Sequence, residues 1–337
     1  MRVARLHAVG DVRVGHEADP VPTQGQSLVR VTAVGLCGSD LHWFSEGGIG
    51  DAGLSTPLVL GHELAGVVQG GPQDGVRVAV DPAHPCGRCE HCLEGNRNLC
   101  PTVGFAGHGR TDGGLRELVA WPTELLHPVP DALSDADAAM LEPLGVALHA
   151  MDLARPRLGA TVAVVGCGPI GLCVVQLARA AGATRVVAVE PLAHRRAAAV
   201  ALGADVALDA HHPDILDQVA EATHGRGADV VVEVAGNDAA VGLSVHAARA
   251  GAKVILAGIP GQDSTTFPAS VARRKGLSLL LSRRMKEMYP RTTRLVERGV
   301  VDVRSVVTHT FGLDDSAQAF AVADARTGLK VVVEPGA

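Results

Sequence analysis

Aromatic residues are scarce in this chain: Phe, Trp and Tyr make up 2% of its 337 residues. The core must therefore be built mainly from Val, Leu, Ala and Ile. An excess of positive charge is lacking as well, since the formal net charge is −6. Arg273-Arg274-Lys275 is a short basic run that a solvated helix end explains. We therefore expect no nucleic-acid partner.

Long apolar runs and an export signal are also missing. No segment approaches the roughly 18 consecutive apolar residues that a membrane helix needs. The first seven residues, Met1 to His7, contain no apolar signal-peptide core. We therefore expect no membrane partner and a cytoplasmic location, where cysteines stay reduced.

The length and the order of patterns predict two domains. Residues 1–150 read as short strands broken by Gly and Pro, which indicates a compact all-β region with metal-bearing loops. Residues 151–283 alternate strands and helices, beginning with the buried strand Thr161–Val165, and predict a doubly wound parallel sheet. Residues 284–337 are expected to return to the first domain and complete it.

A glycine-rich loop follows the first strand of the second region. Its residues are Gly166, Cys167, Gly168, Pro169, Ile170 and Gly171. The pattern G-x-G-x-x-G alone is weak, but here it stands between a strand and a helix. Its glycines permit a tight turn and close approach of a pyrophosphate, and the helix N-terminus attracts the phosphate charge. The loop predicts a dinucleotide site.

The end of the next strand indicates which dinucleotide binds. Glu190 lies 19 positions after Gly171 and can accept hydrogen bonds from both ribose hydroxyls of NAD. Its charge would repel a 2′-phosphate, whereas Arg195 and Arg196 keep NADP open as the alternative. We therefore prefer NAD, with Arg195 and the later pair Gly258-Ile259 as further cofactor contacts.

Four cysteines within 15 residues indicate a closed metal site. They are Cys86, Cys89, Cys92 and Cys100. Zinc favours four thiolates in a tetrahedron when its task is structural. An iron–sulfur cluster is the alternative, but the ferredoxin pattern has three residues before its last cysteine, and here there are seven. The spacing favours structural zinc over a cluster or free thiols.

A second, open metal site is suggested by Cys37 and the pair His62-Glu63. One thiolate, one imidazole and one carboxylate leave a fourth position for water or substrate. A zinc ion there would lower the pKa of a bound alcohol. For a single cysteine and a single histidine 25 residues apart, a buried thiol and a core histidine would be the ordinary interpretation. The neighbouring motifs favour the metal site instead.

Together these motifs resemble the zinc-dependent medium-chain dehydrogenase family over essentially the whole chain, and most closely its sorbitol/xylitol (polyol) dehydrogenase branch. The segments that carry the resemblance are 37–43, 48–50, 57–63, the cysteine lobe, Asp112-Gly113-Gly114, Glu142-Pro143-Leu144, 166–171, Tyr289-Pro290 and Val307-Thr308-His309. The resemblance implies a GroES-like β-rich catalytic domain and a Rossmann nucleotide-binding domain.

The family also implies roles for individual residues. Cys37, His62 and Glu63 would bind the catalytic zinc, with Glu142 beside it where other alcohol dehydrogenases of the family have a cysteine. Ser39 would take the proton of the substrate hydroxyl, and His42 would pass protons towards solvent. Asp40 would orient a ligand, although a loop-capping aspartate explains it nearly as well.

Three further residues are expected to contact the substrate by resemblance. Arg284 aligns with an arginine that holds substrate hydroxyls, although a surface arginine is an equal interpretation. Trp43 and Phe105 would line the pocket, unless they belong to the core. Trp43 and Met285 stand where polyol dehydrogenases usually have tyrosine, so sorbitol itself is not a secure prediction.

The sequence therefore predicts an oxidoreductase that transfers a hydride from a secondary alcohol of a polyol or sugar acid to NAD, using two zinc ions per chain. The alternatives are an L-idonate 5-dehydrogenase or an L-threonine 3-dehydrogenase-like activity, with Glu142-Pro143-Leu144 arguing against threonine. A non-catalytic zinc- and NAD-binding protein is disfavoured because all three open-site ligands are present. By resemblance we expect a homo-oligomer, with a tetramer preferred over a dimer.

Overall fold

The computed structural model describes residues 1–50, 52–261 and 264–336. Its contacts divide the chain into two compact units. The first comprises Met1–Gly145, Lys286–Gly299 and Val303–Ala337, and the second comprises Val146–Met285 and Val300–Asp302. The predicted domain boundaries, after residues 150 and 283, lie within a few residues of these divisions and stay predictions.

The first unit begins with short strands separated by turns. They are β1 (Arg2–Ala8), β2 (Asp11–His16), β3 (Gln26–Gly35), β4 (Gly48–Ile49), β5 (Ala52–Gly53), β6 (Glu63–Gln69), β7 (Arg77–Val80), β8 (Ala83–His84), β9 (Gly104–Phe105), β10 (Leu118–Pro122) and β11 (Leu126–Pro128). Four helices accompany them: α1 (Gly38–Glu46), α2 (Glu90–Leu93), α3 (Asp135–Ala139) and α4 (Leu141–Ala154).

The expectation that residues 1–150 are all-β was wrong, because α1, α3 and α4 lie within them. Helix α4 begins at Leu141, and most of its residues are buried. A helix that is apolar on nearly every side shows no polar face, so its period of 3.6 residues is not visible in the sequence. The mixed α/β fold class as a whole is confirmed.

The second unit is built on a parallel sheet with helices between its strands. Its elements are β12 (Thr161–Val165), α5 (Pro169–Ala180), β13 (Arg185–Val189), α6 (Ala193–Ala201), β14 (Val206–Leu208), α7 (Ile215–Ala222), β15 (Ala228–Glu233), α8 (Asp238–Ala247), β16 (Ala248–Leu256), α9 (Ala269–Lys275) and β17 (Ser278–Leu281). The strand order is β14-β13-β12-β15-β16-β17, which is the predicted doubly wound sheet.

The tail of the chain completes the first unit. It contains α10 (Tyr289–Glu297), β18 (Val307–Gly312), α11 (Ser316–Asp324) and β19 (Lys330–Glu334). Strand β19 pairs antiparallel with β3, so the main sheet runs β11-β7-β6-β3-β19-β18, and β10 also pairs with β3. The last residues of the chain therefore lie beside strands that formed near its start.

Aliphatic side chains fill both cores, as the scarcity of aromatics predicts. In the first unit Val29, Val31 and Leu60 are essentially inaccessible, and Phe44 stacks on Phe320 with ring centroids 5.0 Å apart. In the second unit the inner strands are almost wholly Val and Ala. Within the described residues, no helix combines the length and the apolar character that crossing a bilayer requires.

Candidate active site and metal centres

Cys37, His62 and Glu63 meet at one end of the first unit's sheet. Strands β3 and β6 are antiparallel and pair Gly35 with Glu63, so the chain leaving β3 passes directly beside the start of β6. The candidate ligand atoms of the three residues all lie within 4.8 Å of one another. His62 and Glu63 are buried and Cys37 is half-buried. One thiolate, one imidazole and one carboxylate at this spacing fit a zinc ion.

Asp40 holds this arrangement together. Its Oδ2 accepts the Cys37 N–H at 2.9 Å, and its Oδ1 accepts the Gly61 N–H at 3.1 Å. The same Oδ1 lies 3.3 Å from His62 Nδ1. A proton on Nδ1 shared with Asp40 leaves Nε2 available for a metal. Asp40 thus both caps α1 and orients His62, which unites the two interpretations of this residue.

The charges around His62 oppose its burial. Burial alone would lower the pKa of His62, but the negative charges of Asp40 and Cys37 outweigh it and hold that pKa well above 6.5. Zinc binds only the neutral imidazole, so metal binding at this site would release a proton.

Lys330 is a site residue that the sequence reasoning missed. Its Nζ donates to Glu63 Oε1 at 2.7 Å, to Glu63 Oε2 at 2.6 Å and to the Leu36 carbonyl at 2.9 Å. Both side chains are almost completely buried. A β-carbon at Gly35 would clash with Glu63 Oε2, so glycine makes room for the pair. A carboxylate has about four acceptor positions, so Glu63 retains capacity for a metal.

The Asp112-Gly113-Gly114 turn supports the loop that carries His62. Gly113 N–H donates to the Val59 carbonyl and Gly114 N–H to the Gly61 carbonyl, each at 2.7 Å. A β-carbon on Gly113 would collide with the backbone of Leu60 and Gly61. The glycine is therefore required by close backbone contact with the loop that carries His62.

Glu142 lies at the second position of α4 and is buried. Burial raises the pKa of Glu142 to about 7; the Glu63 charge acts in the same direction, and the His62 and Lys330 charges oppose it. Among the described residues, the group of ligand atoms within 4.8 Å comprises Cys37, His62 and Glu63 and leaves Glu142 outside. The structure thus places Glu142 near the site as an acid poised to change its charge at neutral pH.

The predicted catalytic hydroxyl and substrate side chains lie around His62. Ser39 Oγ is 3.4 Å from His62 Nε2, the nitrogen that a metal would take. The Phe105 ring centroid is 5.2 Å from that of His62. Helix α1 also carries His42, whose Nδ1 lies 2.9 Å from Glu46 Oε1.

Trp43 is buried and meets His108 edge to face, with ring centroids 5.4 Å apart. His108 was missed by the sequence reasoning, since a single histidine in a glycine-rich turn carries no spacing signal. Arg284 belongs to the second compact unit, where its backbone φ is +51°. Its predicted contact with the substrate stays a prediction.

The four lobe cysteines also converge. The sulfur atoms of Cys86, Cys89, Cys92 and Cys100 all lie within 4.8 Å of one another. Backbone N–H groups of Arg88 and Cys89 lower the pKa of Cys86 to about 6, and the Cys86 N–H points at Cys100 Sγ at 3.3 Å. Four converging sulfurs, one of them stabilised as a thiolate, fit a closed structural zinc site.

Asp81 lies just before the lobe and gives the first unit a pH-dependent stability. Burial raises the pKa of Asp81 to about 6, although the Ala83 N–H and Arg97 oppose it. Unfolding restores a pKa near 3.8, so the unfolded chain loses this proton first as pH rises. Stability is therefore lost between about pH 4 and pH 6, by up to about 3 kcal/mol.

We expect Asp81→Asn to remove that loss. The amide oxygen can still accept the Ala83 N–H, which Asp81 Oδ1 accepts at 3.0 Å, but it cannot ionise. Denaturant unfolding of both proteins at pH 4 and pH 7.5 should show the variant gaining on the wild type by up to about 3 kcal/mol. Parallel stability curves across this range would contradict the assignment.

In the second unit, the glycine loop has the shape that the motif predicts. Gly166 has φ of +95°, and a β-carbon there would lie 2.9 Å from Ala235 N. A β-carbon on Gly171 would clash with the Gly166 carbonyl, so this glycine lets α5 pack closely on the loop. Gly168 precedes Pro169 at the start of α5, where free N–H groups favour phosphate. The backbone therefore fits a dinucleotide.

Glu190 turns back towards this loop from the end of β13. Its Oε2 accepts the Cys167 N–H at 2.7 Å and its Oε1 accepts the Leu192 N–H at 3.0 Å. Arg196 donates to the Glu190 and Pro191 carbonyls and pairs with Asp209 at 3.3 Å. A β-carbon on Gly168 would lie 3.8 Å from the Arg195 guanidinium. Arg195 thus lies at the loop, whereas Arg196 is engaged elsewhere.

Two family models match the chain: the alcohol dehydrogenase GroES-like domain over residues 23–131, and the zinc-binding dehydrogenase over residues 169–298. Sorbitol dehydrogenase of Bacillus subtilis (strain 168) is 34% identical over 99% of this chain and 97% of its own length.

Two solved structures show the same likeness. L-idonate 5-dehydrogenase of Escherichia coli matches with a TM-score of 0.91 at 28% identity, over 99% of this chain and 97% of that one. A zinc-binding dehydrogenase of Sinorhizobium meliloti 1021, solved with NADP, matches with a TM-score of 0.90 at 32% identity, over 99% of both chains. This chain belongs to the zinc-dependent medium-chain dehydrogenase family, in its polyol dehydrogenase branch.

Proposed function

We propose that the protein oxidises a secondary alcohol of a polyol or a related sugar acid to the ketone and transfers the hydride to NAD. The observation that carries this proposal is the buried Cys37, His62 and Glu63 group, with Ser39 beside His62 Nε2. A purely structural zinc site would have four protein ligands, whereas three leave a position for substrate. The B. subtilis relative named sorbitol dehydrogenase supports the substrate class.

The residues around the site have distinct tasks. A bound zinc ion would supply Lewis acidity to a substrate hydroxyl. Ser39 borders the position that a metal on His62 Nε2 would take, so its hydroxyl is placed to accept the substrate proton. His42 and its partner Glu46 continue along α1 towards exposed surface and offer that proton an exit.

Charge balance in the buried site comes from the chain itself. Lys330 neutralises Glu63, so the negative charge that the metal must balance is reduced. Glu142 raises or lowers the site's charge by one as it titrates near pH 7. We propose that Glu142 holds the water or substrate hydroxyl at the open position, as the resemblance to polyol dehydrogenases implies.

NAD is the proposed cofactor, with NADP as the alternative. Glu190 is buried and held at the glycine loop, where a carboxylate favours free ribose hydroxyls. Arg196 is engaged by Asp209 and by backbone carbonyls, so it is not poised for a 2′-phosphate. Arg195, at the loop, is the residue through which NADP binding would arise; the S. meliloti relative was solved with NADP.

The structure named L-idonate 5-dehydrogenase keeps a sugar acid as the alternative substrate. A tryptophan at position 43 gives the site an indole and a neighbouring imidazole, His108, where polyol dehydrogenases usually have a tyrosine. A change in this wall is expected to alter which secondary alcohol is preferred. Threonine stays the disfavoured alternative because of Glu142-Pro143-Leu144.

We also propose a homo-oligomer, with a tetramer favoured by the resemblance, in a reducing cytoplasm. Strand β17 forms an edge of the second unit's sheet, and Leu281 at its end is 80% exposed. An unpaired edge with an exposed leucine is a surface that proteins usually cover. The lobe thiolates would remain available to zinc in a reducing compartment.

The test is reduction of NAD and of NADP against a panel of polyols, aldonates and threonine, with and without a chelator. We expect chelator-sensitive activity on a polyol or aldonate with NAD preferred. We further expect Ser39→Ala to lower kcat by about 10²–10⁴-fold, the range for a lost proton-transfer group. Absence of chelator-sensitive activity on every secondary alcohol would sink the proposal.

Ser45→Ala is the matched control, because it removes the same hydroxyl from the same helix. Ser45 Oγ donates only locally, to the Leu41 carbonyl at 2.7 Å, and its side chain is exposed. Its kcat should stay within about twofold of wild type. An equal loss in both variants would mean that α1, rather than the Ser39 hydroxyl, is responsible.

A further inference from the structure

Glu233 is a buried acid that the proposed mechanism leaves unused. It is the last residue of β15, and its side chain is 1% exposed. Strand β15 lies between β12 and β16, and all three are parallel. Its carboxyl end is thus the edge of the sheet where open α/β folds bind their ligands.

Backbone N–H groups from two turns surround this carboxylate. Oε1 accepts the N–H groups of Ala235 and Gly236, both at 2.7 Å. The Gly258 N–H also stabilises the carboxylate, although burial has the larger effect and raises the pKa of Glu233. Gly258 and Ala257 donate in addition to the Glu233 main-chain carbonyl, at 3.0 and 2.8 Å. One side chain therefore joins the turn after β15 to the turn after β16.

The turn after β15 is packed against the glycine loop on its other side. Val234 N–H donates to the Val165 carbonyl at 2.9 Å. A β-carbon on Gly166 would lie 2.9 Å from Ala235 N, and one on Gly171 would lie 3.1 Å from Val234 Cγ2. Residues 234–236 are thus held between the first glycine of the nucleotide loop and the turn that Glu233 binds.

The contact between the two turns has no spare space. A β-carbon on Gly236 would clash with Ile259 main-chain atoms. A β-carbon on Gly258 would clash with Gly236 N and would lie 2.8 Å from Glu233 Oε2. Because the turns meet backbone to backbone, a small change in the central carboxylate must move at least one of them.

We propose that Glu233 is a positioning residue for cofactor binding: its carboxylate sets the spacing between the glycine loop, the 234–236 turn and the Gly258-Ile259 turn. The inference rests on the proposed function, in that the second unit binds a nicotinamide dinucleotide. It adds a residue that touches none of the predicted phosphate or ribose contacts. A carboxylate suits the task because it only accepts hydrogen bonds, and all its neighbours here donate them.

The test is a titration of NADH fluorescence with the wild type and with Glu233→Gln. The amide has the same shape, but one oxygen is replaced by a donor that faces other donors. We expect the Kd for NADH to rise at least about tenfold, the equivalent of one lost hydrogen bond to a charged group. KM for NAD should rise by a similar factor, with a smaller change in kcat.

Asp229→Asn is the matched control. Asp229 lies near the other end of the same strand, where Oδ2 accepts the Thr161 N–H at 2.9 Å and the carboxylate pairs with Arg226 and Arg249. The change again replaces a hydrogen-bonded carboxylate by its amide, at the opposite edge of the sheet. We expect a loss of stability with the Kd for NADH within about twofold of wild type.

A second pair of variants tests the same contact if Glu233→Gln does not fold. Gly258→Ala places a methyl group against Gly236 and the carboxylate, and we expect it also to weaken NADH binding about tenfold. Gly242→Ala, inside α8, has its nearest neighbour atom 4.0 Å away and should leave binding unchanged.

NADH binding within twofold of wild type for Glu233→Gln, or an equal loss in Asp229→Asn, would overturn the inference and leave the proposed function intact. If the Glu233 variant does not fold, unchanged binding by Gly258→Ala would overturn it equally. Failure of the wild-type protein to bind either NADH or NADPH would instead overturn the proposed function, and the inference with it.

Discussion

Cys37→Ala should hold one zinc ion per chain where the wild type holds two, and its kcat should fall by about 10³-fold or more. The open site would keep His62 and Glu63, but it would lose the thiolate that zinc prefers. Lewis acidity contributes several kcal/mol to stabilising the transition state, and each 1.36 kcal/mol is a factor of ten in rate. Metal analysis of the purified proteins and steady-state kinetics measure the two effects.

Cys173→Ala controls for the loss of a buried thiol. Cys173 is buried inside α5 and belongs to neither group of converging ligand atoms. This variant should keep two zinc ions and most of its activity. If Cys37→Ala retains two zinc ions, or if its activity resembles that of the control, then Cys37 does not bind the catalytic metal.

Lys330→Met should lower the free energy of unfolding by about 3–5 kcal/mol, the cost of leaving one member of a buried ion pair without its partner. The variant removes three hydrogen bonds at once, two to Glu63 and one to the Leu36 carbonyl. Glu63 would then be a buried anion with no cation on that side. Guanidinium unfolding of the zinc-free protein measures the effect without a contribution from metal binding.

Two further variants separate charge from packing. Lys286→Met removes a half-buried lysine whose Nζ contacts Asn96 Oδ1 at 2.6 Å, and it should cost only about 1 kcal/mol. The double variant Glu63→Gln/Lys330→Met leaves no unpaired charge and should recover much of the lost stability. If Lys330→Met costs no more than Lys286→Met, the buried pair does not stabilise the fold.

Local patterns were sufficient where the physical cause is local. The buried strand Thr161–Val165 has the predicted bounds, and the helix predicted over 170–181 runs from Pro169 to Ala180. The lobe cysteines lie within 15 residues, so their spacing alone brings their sulfurs together. Turn geometry and hydrophobic periodicity act over a few residues, and a sequence shows them directly.

Helix α4 and the histidine wall show where local patterns failed. Glu142 was identified by resemblance, but the buried helix that carries it was not predicted, because it has almost no polar face. His108 meets Trp43 only because a glycine-rich turn returns beside α1. Neither feature has a periodicity or a spacing that distinguishes it from a loop.

The sequence by itself determined the chemistry: two sets of zinc ligands, a glycine loop for a dinucleotide and an acid after the second strand. These follow from residue types and short spacings. The tertiary structure alone decided what balances that chemistry. Lys330 reaches Glu63 because β19 pairs with β3 and β3 pairs with β6, across 267 residues of chain. Glu233 joins two turns because parallel strands end at one edge. Long-range pairing depends on how the whole sheet assembles, and no short segment of the chain contains that information.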